Sequence, residues 1–114
     1  MVLKMISSAQ SNLVLVISSC SNENAALALS ERIIKGRFAA CIKMLPVKSS
    51  IYMWKGKLVK ESEVLLIIKT LKNKVAHLER FILEHHEYET PEFIVVPVSR
   101  VNEDYMAWIE QCIA

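Results

Sequence analysis

His85 and His86 stand side by side, and Glu87 and Glu89 follow directly after them. Neutral imidazole suits Cu(II), Zn(II) and Ni(II), and carboxylate oxygens can complete such a set, so this segment is the first place to look for a divalent cation. Adjacent residues of a regular helix point about 100° apart, so both rings reach one ion only if the helix end unwinds. His85 also falls on the apolar stripe of its helix, where closing off core packing is its plainer role. A second group gathers aromatic and charged residues. Glu61 and Glu63 alternate onto one strand face and can point, with Lys69, into an intersubunit cleft, either as a salt-bridge network or as the lining of a small-molecule pocket. Trp54, Tyr52, Tyr88 and Trp108 have the apolar body and polar handle that suit pocket walls and subunit contacts. No catalytic constellation assembles. With only Gly36 and Gly56 there is no glycine-rich phosphate loop, and neither a nucleophile elbow nor HExxH or CxxC spacing occurs. The expected mode of action is binding, and the chain is read as a non-enzyme.

The elements that position these residues follow from hydropathic period. Leu13 to Ile17 is a short β-branched-rich run that ends in Ser18–Asn22, a loop and helix cap. Ala26, Leu29, Ile33 and Ile34 recur at helical spacing, which predicts a helix over 23–35 with Gly36 as its stop. From Phe38 to Trp54 the pattern is extended, with a bend or bulge expected at Pro46. Lys55–Gly56 supplies a tight turn, and Lys57 to Thr70 runs back, so each arm of the hairpin reaches about 14 residues, or ~45 Å. Val75, Leu78, Ile82 and His85 mark a second helix over 73–86. Phe93 to Val98 forms the fourth strand, which Pro97 assigns to an edge, and Asn102 caps a last helix carrying Tyr105, Trp108, Ile109 and Cys112. The order βαββαβ plus a C-terminal helix closes, with right-handed crossovers, into a ferredoxin-like α+β fold: a four-stranded antiparallel sheet with two helices on one face.

The chain has 114 residues, 53% of them hydrophobic, and a net charge of +2. That length suits one domain, assigned to 13–114 behind an N-terminal arm over 1–12. Residues 1–12 lack the continuous apolar run of a secretory leader, and no stretch is long enough to span a membrane, so no membrane partner is expected. Lys55, Lys57 and Lys60 are the densest basic group, but Glu61 and Glu63 follow at once, which argues against nucleic acid. Three widely spaced cysteines are unlike a disulfide framework and suit a reducing, cytoplasmic setting. Cys41 and Cys112 sit in apolar patterns and read as small core hydrophobes. Leu13–Ile17, Val64–Ile68 and Phe93–Val96 are apolar at every position, whereas a sheet with one wet face alternates. Both faces must therefore be covered, and one spare helix is too little to do it. A small symmetric oligomer, with the overlong hairpin reaching a neighbour, accounts for the pattern and explains Trp54 at the hairpin tip.

Phe38-Ala39-Ala40-Cys41, Tyr52-Met53-Trp54-Lys55-Gly56-Lys57, the strand Glu63–Thr70, the segment His85-His86-Glu87-Tyr88-Glu89-Thr90-Pro91-Glu92 and the closing Asp104–Ile109 together resemble the CutA family of divalent-cation tolerance proteins, in order over roughly residues 13–112. The resemblance implies a ferredoxin-like protomer, a homotrimer built on sheet edges and long hairpins, and a link to copper and other divalent cations. It implies metal ligands at His85 and His86, and at a cysteine. Many members carry that cysteine at the end of the first strand, where this chain has Ser18; Cys20, two residues on, points the same way if the strand continues that far. Glu87 replaces a proline that commonly follows the paired histidines, which is expected to loosen the turn to Tyr88. The competing expectation is a trimeric regulatory or scaffold protein, similar to nitrogen-regulatory signal trimers, that binds a small effector or partner protein in intersubunit clefts lined by Trp54, Glu61, Glu63, Lys69 and Tyr88.

Overall fold

The structure is a computed structural model and describes residues 11–114, so the arm expected over 1–12 lies, through residue 10, outside the described residues. The strands are β1 (Leu13–Cys20), β2 (Cys41–Trp54), β3 (Lys57–Leu71) and β4 (Ile94–Pro97); the helices are α1 (Glu23–Lys35), α2 (Val75–His85) and α3 (Glu103–Ile113), and a 3₁₀ turn, Lys72–Lys74, leads into α2. The sheet order is β2-β3-β1-β4 with every pairing antiparallel. β4 is shorter than its apolar run, because four residues exhaust its pairing with β1, and Pro97 ends it at the sheet edge. No helix among the described residues is long and apolar enough to cross a membrane.

β1 runs three residues beyond its apolar stretch because Ser18, Ser19 and Cys20 continue the ladder opposite Leu66, Leu65 and Val64. Val16, Cys20, Leu66 and Ile68 point to the side that α1 and α2 cover, where they pack with Ala26, Leu29, Ile33, Leu78 and Ile82. The opposite side carries Leu15, Ile17, Leu65 and Ile67, still partly open, with Leu45, Ile94 and Val96 at 41%, 50% and 39% exposure. Only its far end is roofed, where α3 sets Ile109 and Ile113 against Leu13, Leu71 and Val98.

Local signals set the boundaries. The Asn22 and Asn102 side chains accept hydrogen bonds from Ala25 N–H at 2.8 Å and Tyr105 N–H at 2.7 Å, which cap α1 and α3. Gly36 is right-handed at φ −81°, and Arg37 takes the left-handed position at φ 60° that ends α1. Glycine is needed at 36 for room, since a Cβ there would stand 2.5 Å from the Phe38 ring. The ladder bulge falls between Val47 and Ser50, just past Pro46, which still pairs with Val64. Lys55 at φ 51° and Gly56 at φ 80° close the hairpin in two residues. The hairpin stretches the molecule to 57 Å along its longest axis and raises the radius of gyration to 16.0 Å, against about 13 Å for a compact chain of this size.

Candidate functional site

α2 ends at His85, and His86 adopts extended backbone at φ −78°, ψ 147°, so the helix end does unwind between the two histidines. Their rings nevertheless diverge. His85 Nδ1 donates to the Phe81 carbonyl at 2.9 Å, and its ring stacks on Phe81 at 4.2 Å, which leaves Nε2 as a free lone pair at the surface. His86 turns back to the sheet. Its Nδ1 accepts from Tyr88 N–H at 2.9 Å, so Nε2 carries the proton and donates to the Ser19 carbonyl at 2.7 Å. Both ring nitrogens of His86 are thus engaged in tying α2 to β1.

Cys20 Sγ lies 3.8 Å from His86 Nε2 and is buried. Burial first, then the carboxylates of Glu87 and Glu63, push its thiol up from 9.0 to about 11. β1 does extend far enough to bring Cys20 beside the histidine segment. A hollow of about 180 Å³ is lined by Cys20, His85 and Glu87, with Arg32 on its wall. Glu87 is held by Ser21, whose N–H and hydroxyl donate to it at 3.0 and 2.5 Å. The residue in the proline position thus ties the turn to Ser21, just past the end of β1. Among the described residues, no three His, Cys, Asp or Glu side chains are placed to hold a metal ion together. The residues present therefore offer single-point capture and no preassembled centre.

The larger feature lies on the face away from α1 and α2. A cavity of about 650 Å³ opens between the outer half of the hairpin and the segment that follows α2, and it brings Glu61 and Glu63 together with Glu87, Glu89 and Glu92. Tyr52, Trp54 and Tyr88 form its walls, and among the described residues no basic side chain lines it. The Tyr52 hydroxyl donates to Glu61 at 2.5 Å and the Tyr88 hydroxyl to Glu63 at 2.7 Å. The bond to Glu61 pushes the Tyr52 phenol up to about 12, while burial and the bond to Glu63 raise that of Tyr88, so both stay neutral donors at physiological pH. Ser19, at the floor, sits 3.5 Å from carboxylate oxygens of both Glu63 and Glu92.

Of the expected cleft residues, Trp54, Glu61, Glu63 and Tyr88 come together here and Lys69 does not. It shares their strand face but stands six residues along β3 from Glu63, roughly 20 Å at ~3.3 Å per residue. There Lys69 Nζ donates to the Tyr105 hydroxyl at 2.9 Å and rests over the same ring at 5.0 Å. Within the protomer Lys69 therefore makes no salt bridge with Glu61 or Glu63, and these carboxylates keep phenols as partners. Glu92 and Ser19 had no chemical signal along the sequence. They reach the cavity through a tertiary contact, the Ser18 hydroxyl donating to the Glu92 carbonyl at 2.8 Å.

Comparison with known proteins places this geometry. A family model described as "CutA1 divalent ion tolerance protein" matches residues 14–112. "Protein CutA" of Mus musculus is 40% identical over 93 residues, 82% of this chain and 52% of that protein, so the chain spans about half the length of that mammalian relative. "Divalent-cation tolerance protein CutA" of Yersinia pestis is 36% identical over 99 residues, 87% of this chain and 83% of its own. Among solved structures, CutA from Xylella fastidiosa superposes with a TM-score of 0.87 at 34% identity, over 91% of this chain and 100% of that one.

Proposed function

The chain belongs to the CutA1 divalent ion tolerance family, and from that premise we propose that it works as a cytoplasmic, non-enzymatic homotrimer of ferredoxin-like protomers that captures copper or a related divalent cation. The observation that carries the metal reading is the free Nε2 lone pair of His85, beside Cys20 and Glu87 in one hollow. Imidazole with carboxylate oxygen nearby suits Cu(II), while Arg32 on the same wall holds the affinity to a modest level. His86 supports the site by position, since its nitrogens are already occupied.

Calorimetric titration with Cu(II) separates the two histidines. His85→Ala is expected to lose most of the binding heat, and His86→Ala to keep the stoichiometry while lowering stability. Equal uptake by the wild type and the double variant would remove both residues from the site. The trimer reading is supported by the half-exposed Leu45, Ile94 and Val96 on the bare sheet face, which copies of the chain would cover. Light scattering checks it, and a monodisperse 13.0 kDa particle would overturn it.

A second reading is favoured by the cavity of about 650 Å³, a size typical of small-molecule sites. In it, the clefts take a small effector and metal capture is secondary.

A further inference from the structure

The smaller hollow lies between α1 and the end of α2, on the helix-bearing side of the sheet and away from the bare face that the proposed trimer covers. Three of its polar groups have bonding capacity to spare. Arg32 is exposed and holds its guanidinium 5.6 Å from the centroid of the Phe81 ring; among the described residues it makes no hydrogen bond or ion pair, so its N–H donors are uncommitted. His85 keeps Nε2 as an acceptor, because Nδ1 donates to the Phe81 carbonyl. Glu87 accepts two bonds from Ser21, and a carboxylate has about four lone-pair sites, so acceptor capacity is left there as well. α1 thus offers a donor fork and the segment ending α2 offers two acceptors, while Ala25, Ala28 and Leu29 give the hollow an apolar wall.

A ligand of one charge meets only half of this set. A bare cation faces the guanidinium, and a simple anion faces Glu87 and the imidazole lone pair. A zwitterion answers both, since a carboxylate accepts two parallel bonds from a guanidinium fork and an ammonium carries three donors for the acceptors opposite. The protein groups are held in advance, because the Phe81 ring carries Arg32 and also stacks on His85 at 4.2 Å. The space of about 180 Å³ equals about six water molecules at ~30 Å³ each, which admits a compact molecule and excludes a bulky aromatic side chain.

We propose that this hollow binds the zwitterion of a small aliphatic α-amino acid, its carboxylate on the Arg32 guanidinium, its ammonium between Glu87 and Nε2 of His85, and its side chain against Ala25, Ala28 and Leu29. The site shares His85 Nε2 with the metal reading but needs no metal and does not rest on it. Removing either charge from the ligand removes one of the two pairings. L-valine therefore binds more tightly than isovalerate, which lacks the ammonium, and than isobutylamine, which lacks the carboxylate.

The test is a chemical-shift titration of the full chain with L-valine in the presence of EDTA, which takes metal out of the question. Saturable shifts should centre on Ala28, Arg32 and Glu87, and isovalerate, isobutylamine and L-tryptophan should each bind about tenfold more weakly or less. Arg32→Gln should weaken L-valine binding by about tenfold or more, and Arg32→Lys, which keeps the charge without the fork, by less. Glu87→Gln should weaken L-valine while leaving isovalerate unchanged or tighter, a split that a merely structural role for Glu87 would not produce. Arg80→Gln and Glu79→Gln, at exposed positions of α2 outside the hollow, should change nothing. An equal loss in these controls would mean diffuse charge attraction and would overturn the proposal. Isovalerate or L-tryptophan matching L-valine would overturn it too, as would the lack of any saturable shift at the hollow. Copper uptake, measured without amino acid, is decided separately.

Discussion

The two faces of the sheet have nearly the same hydropathy and opposite fates. Toward α1 and α2, Val16, Leu66 and Ile68 are fully buried. Away from them, Ile17 pairs across the strands with Ile67 and Leu45 with Leu65, and all four remain partly open to solvent. Side chains alternate strictly between the faces, so both are apolar, while α1 and α2 close one face and α3 roofs only the far end of the other. The hairpin repeats the contrast, with Tyr52 and Trp54 turned to the cavity and Met53 and Leu58 exposed on its other side. The difference teaches that the protomer's own helices cover only one of two equally apolar faces.

Charging each face in turn breaks this comparison most sharply. In the proposed trimer, Ile17→Lys with Ile67→Lys puts two like charges opposite each other on the bare face, and assembly should be lost, with the light-scattering mass falling to 13.0 kDa while circular dichroism is retained. On the covered face, Ile68→Ala should leave the mass unchanged and lower the unfolding free energy by about 2–5 kcal/mol in urea titration, because it opens a cavity in a closed core. A bare-face pair that keeps the full assembled mass would show that this face is not the interface.

A smaller effect sharpens the contrast at the end of β1. The Cys20 thiol is raised from 9.0 to about 11, so between those values the folded chain holds a proton that the unfolded chain releases. Its contribution to stability is fully present below pH 9 and is lost as the pH climbs through 11. The two cavity phenols, raised in the same sense from 10.0, extend the loss to higher pH. Urea midpoints followed from pH 8 to 11.5 should fall, and Cys20→Ala should remove the part that begins near pH 9. A variant with the same alkaline slope as the wild type would place the loss elsewhere.

Much of the fold was legible because each element carries its own signal. Asn22 and Asn102 cap, Pro97 ends an edge strand, and Lys55-Gly56 turns a two-residue hairpin; all are local effects. The apolar strands also declared apolar side chains on both faces of the sheet, since hydropathy is written in the chain whether or not its own helices cover it. The site was legible only in part. Glu61, Glu63, Trp54 and Tyr88 could be grouped by strand face and residue type, but within the protomer Lys69 lies apart from them, because face alone says nothing of distance along a long strand. His86 looked like a ligand until its two nitrogens found Ser19 and Tyr88, contacts that depend on how α2 ends over β1. Glu92 enters the cavity through the Ser18 hydroxyl, a pairing 74 residues apart that no spacing rule reaches.

The smallest effect separates backbone strain from contact at the hairpin tip. Gly56 holds φ 80°, and a Cβ built on it would meet nothing within 4 Å, so Gly56→Ala tests conformation alone. A non-glycine residue in the left-handed region costs roughly 1–2 kcal/mol, and the neighbouring Lys55, at φ 51°, already bears such a cost. Gly56→Ala should therefore lower stability by about 1 kcal/mol, read as a shift in urea midpoint with unchanged slope. Gly36 is the opposite case. Its backbone is right-handed, and a Cβ there would drive into Phe38, which packs against the covered core, so Gly36→Ala acts through packing. Replacing Lys55 with glycine should recover part of the loss in the Gly56→Ala background and none in the Gly36→Ala background. Equal recovery in both would mean that the two glycines answer to a common constraint and that the tip is not strained independently of the core.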